Sequence, residues 1–385
     1  MNTATASLSV KSLKSVLTVA KRRIGKRIYG ATQNIHIACN GSAVIRFTDG
    51  ELRVSAAIPC EHSGADFAYQ FQFAELQGMV AKTKSKELTI TPAGRVSAGI
   101  VSKDLESPWD KIRIGVDSKG VAELADVCAL VPQARSFPDY VEVFATELRA
   151  ALLALLHCTD KEITRYALGG ILLTVAGDSL ECVATDSHRL GIRSVDILQR
   201  SGTQALENAV IPHSAAELFL ALLPKKLPAG DIVRISFRTD EKTPTITRLT
   251  LEHGATRVDM PLVAGRFPRY RDVIPQGCKT VGIPREELLA LLQEFLPHLT
   301  PESRGIDFKL SRGLLTLRHD GISVCLEIPR ENAWVKCTLD GRYLVDALSV
   351  CLADYVTWGF IDGESAMQFY DSDHQEIVMP LTRDR

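Results

Sequence analysis

The chain has 385 residues, 45% hydrophobic and 24% charged, which exceeds one ordinary core and fits a globular protein of about two to four domains. No apolar run reaches the roughly 18–20 residues of a membrane span, and the opening MNTATASLSVKSLKSV lacks the apolar core of a secretory signal, so no membrane association is expected. The 45 Lys and Arg nearly cancel 46 Asp and Glu, leaving a net charge of −1, so any nucleic-acid contact must come from local segregation of charge.

The first predicted elements are a short strand, Leu8–Val10, and a helix with apolar Leu13, Val16, Leu17 and Ala20. Through Tyr29 this segment carries Lys11, Lys14, Lys21, Arg22, Arg23, Lys26 and Arg27 and no acid. It reads either as a solvated basic face or as a surface that meets phosphates. Strands are predicted at Asn34–Cys39, Ala43–Phe47 and Glu51–Ala57, with turns at Gly41 and Asp49-Gly50. A helix is predicted over Phe73–Lys82, then strands at Glu87–Thr91 and Val96–Ile100. Lys103–Pro138 is expected to hold two more strands and a loop.

Phe137-Pro138-Asp139-Tyr140 then recurs as Phe267-Pro268-Arg269-Tyr270. Each copy precedes a strand-then-helix pattern, Val141–Leu156 and Thr280–Leu296, and the opening of the chain has the same form. A second helix follows each after a block of strands: AELQGMVAK from Ala74, AAELFLALLPK from Ala215 and RYLVDALSV from Arg342. A period this long indicates whole similar domains rather than a solenoid. The expected fold is therefore α+β, with three repeated domains at 1–141, 142–278 and 279–385. Thr146 is the predicted N-cap of the first helix of domain 2, and Pro284 a first-turn residue of its counterpart in domain 3.

Domain 2 is expected to have strands at Gly170–Thr174, Leu180–Ala184, Ile232–Phe237, Thr247–Glu252 and Thr256–Pro261. In domain 3 they are expected at Ile306–Leu310, Leu314–Arg318, Ser323–Ile328, Tyr355–Phe360, Ala366–Tyr370 and Glu376–Met379. Leu180–Ala184 leads into Thr185-Asp186-Ser187-His188-Arg189-Leu190, a polar run that cannot all enter a core. In a strand, Thr185, Ser187 and Arg189 would share one side and Asp186 and His188 the other; a turn would change these directions.

No catalytic motif stands out. GxxxxGK[ST], GxGxxG after a strand, HExxH and GxSxG are all absent. Asp186-Ser187-His188 holds the ingredients of a triad, but neighbours in sequence cannot adopt triad geometry. His213 and Glu217 are four apart on a predicted helix, a metal half-site spacing that more often marks a surface pair. Nine cysteines stand singly with no CxxC, which favours reduced thiols in the cytoplasm over a disulfide framework or zinc site. Neither a cofactor nor a metal is expected.

Ala184–Leu190, ATDSHRL, resembles the ATD-x-HRL segment of the bacterial sliding clamps, the beta subunit of DNA polymerase III. Arg165–Gly170, FPRYRDVIP from Phe267, RYLVDAL from Arg342 and the terminal Val378-Met379-Pro380-Leu381 resemble further segments of that family, in the same order. The resemblance implies a head-to-tail homodimeric ring that encircles duplex DNA without regard to sequence. Such a ring is a processivity factor without catalysis of its own, tethering the replicative polymerase. It implies DNA-facing residues Lys11, Lys14, Arg22, Arg23, Lys26, Arg27, Arg149, Arg165, Tyr166 and Arg342. It also implies a pocket between domains 2 and 3 for extended peptides of polymerases, the clamp loader and repair proteins. The matching positions are Leu168, Thr185, Ser187, His188, Arg189, Leu190, Pro268, Val273, Ile377, Val378, Met379, Pro380 and Leu381. Leu168, Leu190, Val273, Val378 and Met379 are expected to form its apolar floor.

The chain departs from the family's pattern at three places. Ser187 stands where glycine is common, Ala167 replaces an aromatic, and Thr382-Arg383-Asp384-Arg385 follows Leu381 where many clamps end in Arg-Leu or close to it. A divergent paralogue with specialised repair partners is one alternative; a repeat-built hydrolase with a cryptic site is another.

Overall fold

The structure is a computed structural model that describes residues 5–22, 34–39, 41–49, 51–64, 67–90, 95–98, 112–113, 137–160, 167–202, 206–239, 245–328 and 333–381. The chain divides into two compact units, one drawn from 1–145, 198–204 and 217–262, the other from 146–197, 205–216 and 263–385.

The first unit opens with the strand Thr5–Ser9, whose side chains alternate between buried and half-buried, and passes straight into α1 (Val10–Lys21). Val10 is the first helical residue and not the end of a strand. The reason is local: the Ser9 hydroxyl accepts the Ser12 N–H at 3.4 Å and caps the helix. α1 buries Val10, Leu13, Val16, Leu17, Val19 and Ala20 and lies beside α2 (Phe73–Lys82), which buries Phe73, Leu76 and Val80. One sheet runs Cys60–Ser63, Thr5–Ser9, Glu87–Ile90, Arg95–Ala98, Ile112–Arg113. A second, antiparallel throughout, runs Asp139–Phe144, Ile232–Thr239, Ile246–His253, Thr256–Pro261, Arg53–Ile58, Ala43–Thr48, Asn34–Cys39, Phe67–Gln72.

The second unit contains α3 (Ala145–Leu155) from its second residue on, continued by a 3-10 turn, Leu156–Cys158. The helix already starts at Ala145, so Thr146 lies inside its first turn rather than capping it. α4 (His213–Leu222) begins directly after the strand Ala209–Pro212, two residues before the predicted start. Here the sheet order is Lys279–Pro284, Tyr355–Phe360, Met367–Tyr370, His374–Val378, Arg189–Ser201, Ser179–Thr185, Gly170–Ala176, Ala209–Pro212. Another sheet orders Ile322–Glu327, Leu314–His319, Gly305–Ser311, Val335–Asp340.

α5 (Arg285–Phe295) follows Pro284, which occupies the N-cap position. It packs against α6 (Gly341–Val350), whose N-cap Asp340 accepts the Arg342 N–H at 3.0 Å. Gly341 packs closely there: a Cβ would come within 2.5 Å of the Ile306 side-chain tip, which would have to shift. Trp358 centres this core, 6.2 Å from Phe308, 5.0 Å from Phe360 and 6.0 Å from Phe369 between ring centroids. The strands Cys60–Ser63, Phe67–Gln72, Arg189–Ser201, Ala209–Pro212 and Val335–Asp340 were not expected from the sequence. Among the described residues no helix is long and apolar enough to cross a membrane.

Candidate functional site

The ATDSHRL segment is a hairpin turn, so strand alternation does not govern its side chains. Asp186 organises it: its Oδ1 accepts the backbone N–H groups of His188 and Arg189, each at 3.0 Å. Thr185 Oγ1 donates to the Arg189 carbonyl at 2.6 Å and accepts the Ser187 N–H at 3.2 Å. Ser187 takes φ +73°, the left-handed region that glycine enters without steric cost.

The strand that leaves this turn pairs antiparallel with the C-terminal strand His374–Val378, with Arg189 opposite Val378 and Arg193 opposite His374. One further bond, from the Met379 N–H to the His188 carbonyl at 3.0 Å, carries the pairing past the strand's end. The Leu381 N–H then donates to the Thr338 carbonyl at 2.8 Å. The turn and the C-terminal segment therefore lie side by side at the end of two paired strands, despite their distance in sequence.

Arg189 braces that turn. Its guanidinium donates to Asp186 at 3.0 Å, to Asp346 of α6 at 2.7 Å and to the His157 carbonyl, and lies 4.3 Å from the centroid of the Tyr343 ring. Burial disfavours its charge, but the Asp346 hydrogen bond and nearby acids outweigh this and raise its pKa further. Its side chain is only 10% exposed and its donors point inward, whereas His188 is exposed and stacks on Tyr343.

The apolar residues divide. Leu190 and Ile377 join Ala167, Leu172, Phe267 and Tyr270 in one buried cluster, while Val378 enters the core around Trp358, as alternation along a strand requires. Leu168, Leu190 and Val378 are buried; Val273 and Met379 are 51% and 43% exposed. Pro268, Pro380 and Leu381 are half-buried, Thr185 and Ile377 buried, and Ser187 exposed. The segment carrying Pro268 and Val273 is anchored by Tyr270, which donates to Glu181, and by Arg271, 2.7 Å from the same carboxylate.

Of the basic residues, Lys11, Lys14 and Arg22 are exposed on or just after α1, at spacings that share one helical face. Arg22 pairs with Glu217 at 3.0 Å. His213, by contrast, hydrogen-bonds Thr159 at 2.7 Å, so the two members of the sequence-level half-site have different partners. Arg149 is half-buried on α3, and the exposed Arg342 donates to the Leu299 carbonyl at 2.7 Å. Arg23, Lys26, Arg27, Arg165 and Tyr166 lie outside the described residues.

Residues 143–269 match the family model of the DNA polymerase III beta subunit, central domain. A beta sliding clamp of Pseudomonas aeruginosa is 26% identical over 226 residues, 56% of this chain and 58% of the relative. With that of Chlamydia muridarum the alignment spans 40% of the relative's length, so these matches cover well under two thirds of those proteins. The beta sliding clamp of Treponema pallidum is 21% identical over 383 residues, 96% of each chain. Among solved structures, the Bacillus subtilis DNA polymerase sliding clamp superposes with a TM-score of 0.79 at 15% identity over 99% of this chain and 100% of that one. A Pseudomonas aeruginosa sliding clamp bound to griselimycin gives 0.77 at 18% identity over 99% and 100%. The chain thus has the fold of these clamps nearly end to end.

Proposed function

We propose that this chain is one subunit of a cytoplasmic DNA sliding clamp, a processivity factor that closes a head-to-tail homodimeric ring around duplex DNA and tethers a replicative polymerase. The likeness of fold to solved clamps over nearly the whole chain carries this reading. In it, the three strand–helix pairs belong to repeated domains at 1–141, 142–278 and 279–385. A sliding tether cannot hold one site tightly, so enclosure supplies retention while Lys and Arg contact phosphates irrespective of sequence. Lys11, Lys14 and Arg22 are the described residues best suited to that contact.

The surface shared by the ATDSHRL turn and the C-terminal segment is, in this reading, the docking site for extended peptides of the polymerase, clamp loader and repair proteins. Exposed Met379 and Val273 offer adaptable apolar contacts, and Ser187 and His188 polar ones that set register. Arg189 acts from behind, as a brace. The test is retention on nicked circular DNA. A clamp stays on the circle and slides off after linearisation; failure to stay, or equal retention on linear DNA, overturns the proposal.

A further inference from the structure

Glu376 is completely buried, and three side chains converge on its carboxylate. His157 and Cys158 come from the 3-10 turn that ends α3. His157 Nε2 lies 3.1 Å from both carboxylate oxygens, and Cys158 Sγ donates to Oε1 at 3.6 Å. His374, two residues before Glu376 and so on the same face of the strand, approaches Oε2 at 3.2 Å. The His157, Cys158 and Glu376 ligand atoms lie within 4.8 Å of one another.

We propose that His157 Nε2, Cys158 Sγ and Glu376 form a binding site for a thiophilic divalent cation, Zn²⁺ foremost, that ties the end of α3 to the C-terminal strand. The donor set selects the ion. Imidazole, thiolate and carboxylate together suit zinc, whereas Mg²⁺ and Ca²⁺ take oxygen ligands. The spacing fits too: a tetrahedral ion with bonds of roughly 2.0–2.3 Å holds its ligand atoms roughly 3.3–3.7 Å apart. The 3.1 and 3.6 Å approaches to Glu376 are already close to that.

Hydrogen bonding uses the thiol poorly, since a thiol is a weak donor to a buried carboxylate.

His374 fits a supporting role. With its proton on Nε2 it donates to Oε2 and leaves Oε1 for the ion, while its buried Nδ1 has no hydrogen-bond partner among the described residues. Entry is from the His157 side, where that side chain is 17% exposed. Gly191, opposite Glu376 in the ladder, keeps the space open, since a Cβ there would meet Leu155 at 2.7 Å and Cys158 Sγ at 3.0 Å. The staple would join residues 219 apart in sequence, in the same strand pair whose end carries His188 and Met379.

The test uses the full-length chain stripped with a chelator. Calorimetric titration with Zn²⁺ is expected to show one ion per chain. Co²⁺ is expected to give a cobalt–thiolate charge-transfer band and the visible bands of a tetrahedral ion. His157→Ala, at the open side where folding should tolerate it, is expected to weaken uptake more than about 100-fold, beyond the 10–100-fold typical of a residue that only supports a ligand. Cys158→Ser is expected to remove the charge-transfer band. Absence of stoichiometric uptake by the parent chain, or an unchanged cobalt spectrum in His157→Ala, overturns the site and leaves the cluster a buried carboxylate held by imidazoles.

Discussion

The Met379 amide donates to the His188 carbonyl at 3.0 Å, which brings an apolar residue and an imidazole together at the end of two paired strands. In the proposed function an incoming peptide meets this pair first. Met379→Glu should leave the fold intact, because the side chain is 43% exposed, yet place an unpaired charge where an apolar anchor docks. The expected loss is about 2 kcal/mol, roughly thirtyfold in peptide affinity, with polymerase stimulation and clamp-loader binding lost together. Fluorescence anisotropy with a clamp-binding peptide reads it; unchanged affinity in a folded variant removes Met379 from the site.

Arg189 holds the turn to α6 through Asp346 and Tyr343 and to the end of α3 through the His157 carbonyl. Lysine cannot reproduce that planar fork. Arg189→Lys keeps the charge but loses part of this hydrogen bonding, and should cost about 2 kcal/mol of unfolding free energy. A urea midpoint equal to the parent's would contradict the bracing role.

Ser187 occupies the left-handed region at φ +73°. An L-residue there costs about 1–2 kcal/mol, which glycine avoids while losing part of the gain to chain entropy. Ser187→Gly should therefore stabilise by about 0.5–1 kcal/mol, and Ser187→Val should destabilise. Thermal melts that rank the three otherwise would rule out backbone strain at this turn.

Glu376 titrates far from its usual range. Burial alone would raise its pKa, but hydrogen bonds from His157 and His374 outweigh this and lower it from 4.5 to about 2. A carboxylate depressed on folding contributes stability above its unfolded pKa and loses it as pH falls through the folded one. In chelator, the parent should lose on the order of 3 kcal/mol between about pH 4.5 and pH 2 that Glu376→Gln does not lose. Parallel urea stability curves for the two proteins across that window would refute it.

The exposed basic face of α1 is expected to set the salt dependence of DNA retention. Replacing Lys11, Lys14 and Arg22 by Glu should weaken retention on duplex of any sequence. Each lost phosphate contact should lower the log–log salt slope by about 0.9. An unchanged slope would mean that this face does not meet DNA.

What the sequence determined by itself is local. Phe73–Lys82 folds as a helix with the expected bounds, and strands such as Asn34–Cys39 and Thr256–Pro261 fall where alternation and turn residues put them, because periodicity and capping act over a few residues. The family resemblance pointed to the segments that meet at the ATDSHRL turn, though composition and spacing alone did not. Only the tertiary structure decided how they meet. The strand Arg189–Ser201 was not legible, since it follows a polar turn and ends in exposed residues without an alternating pattern. Its register against His374–Val378 sets Arg189 opposite Val378 and divides Ile377 from Val378 between two cores. The same register sets Glu376 against His157 and Cys158, residues 219 and 218 positions away, a meeting that no local spacing encodes. Such contacts depend on which strands pair and in what register, and burial of whole faces decides that.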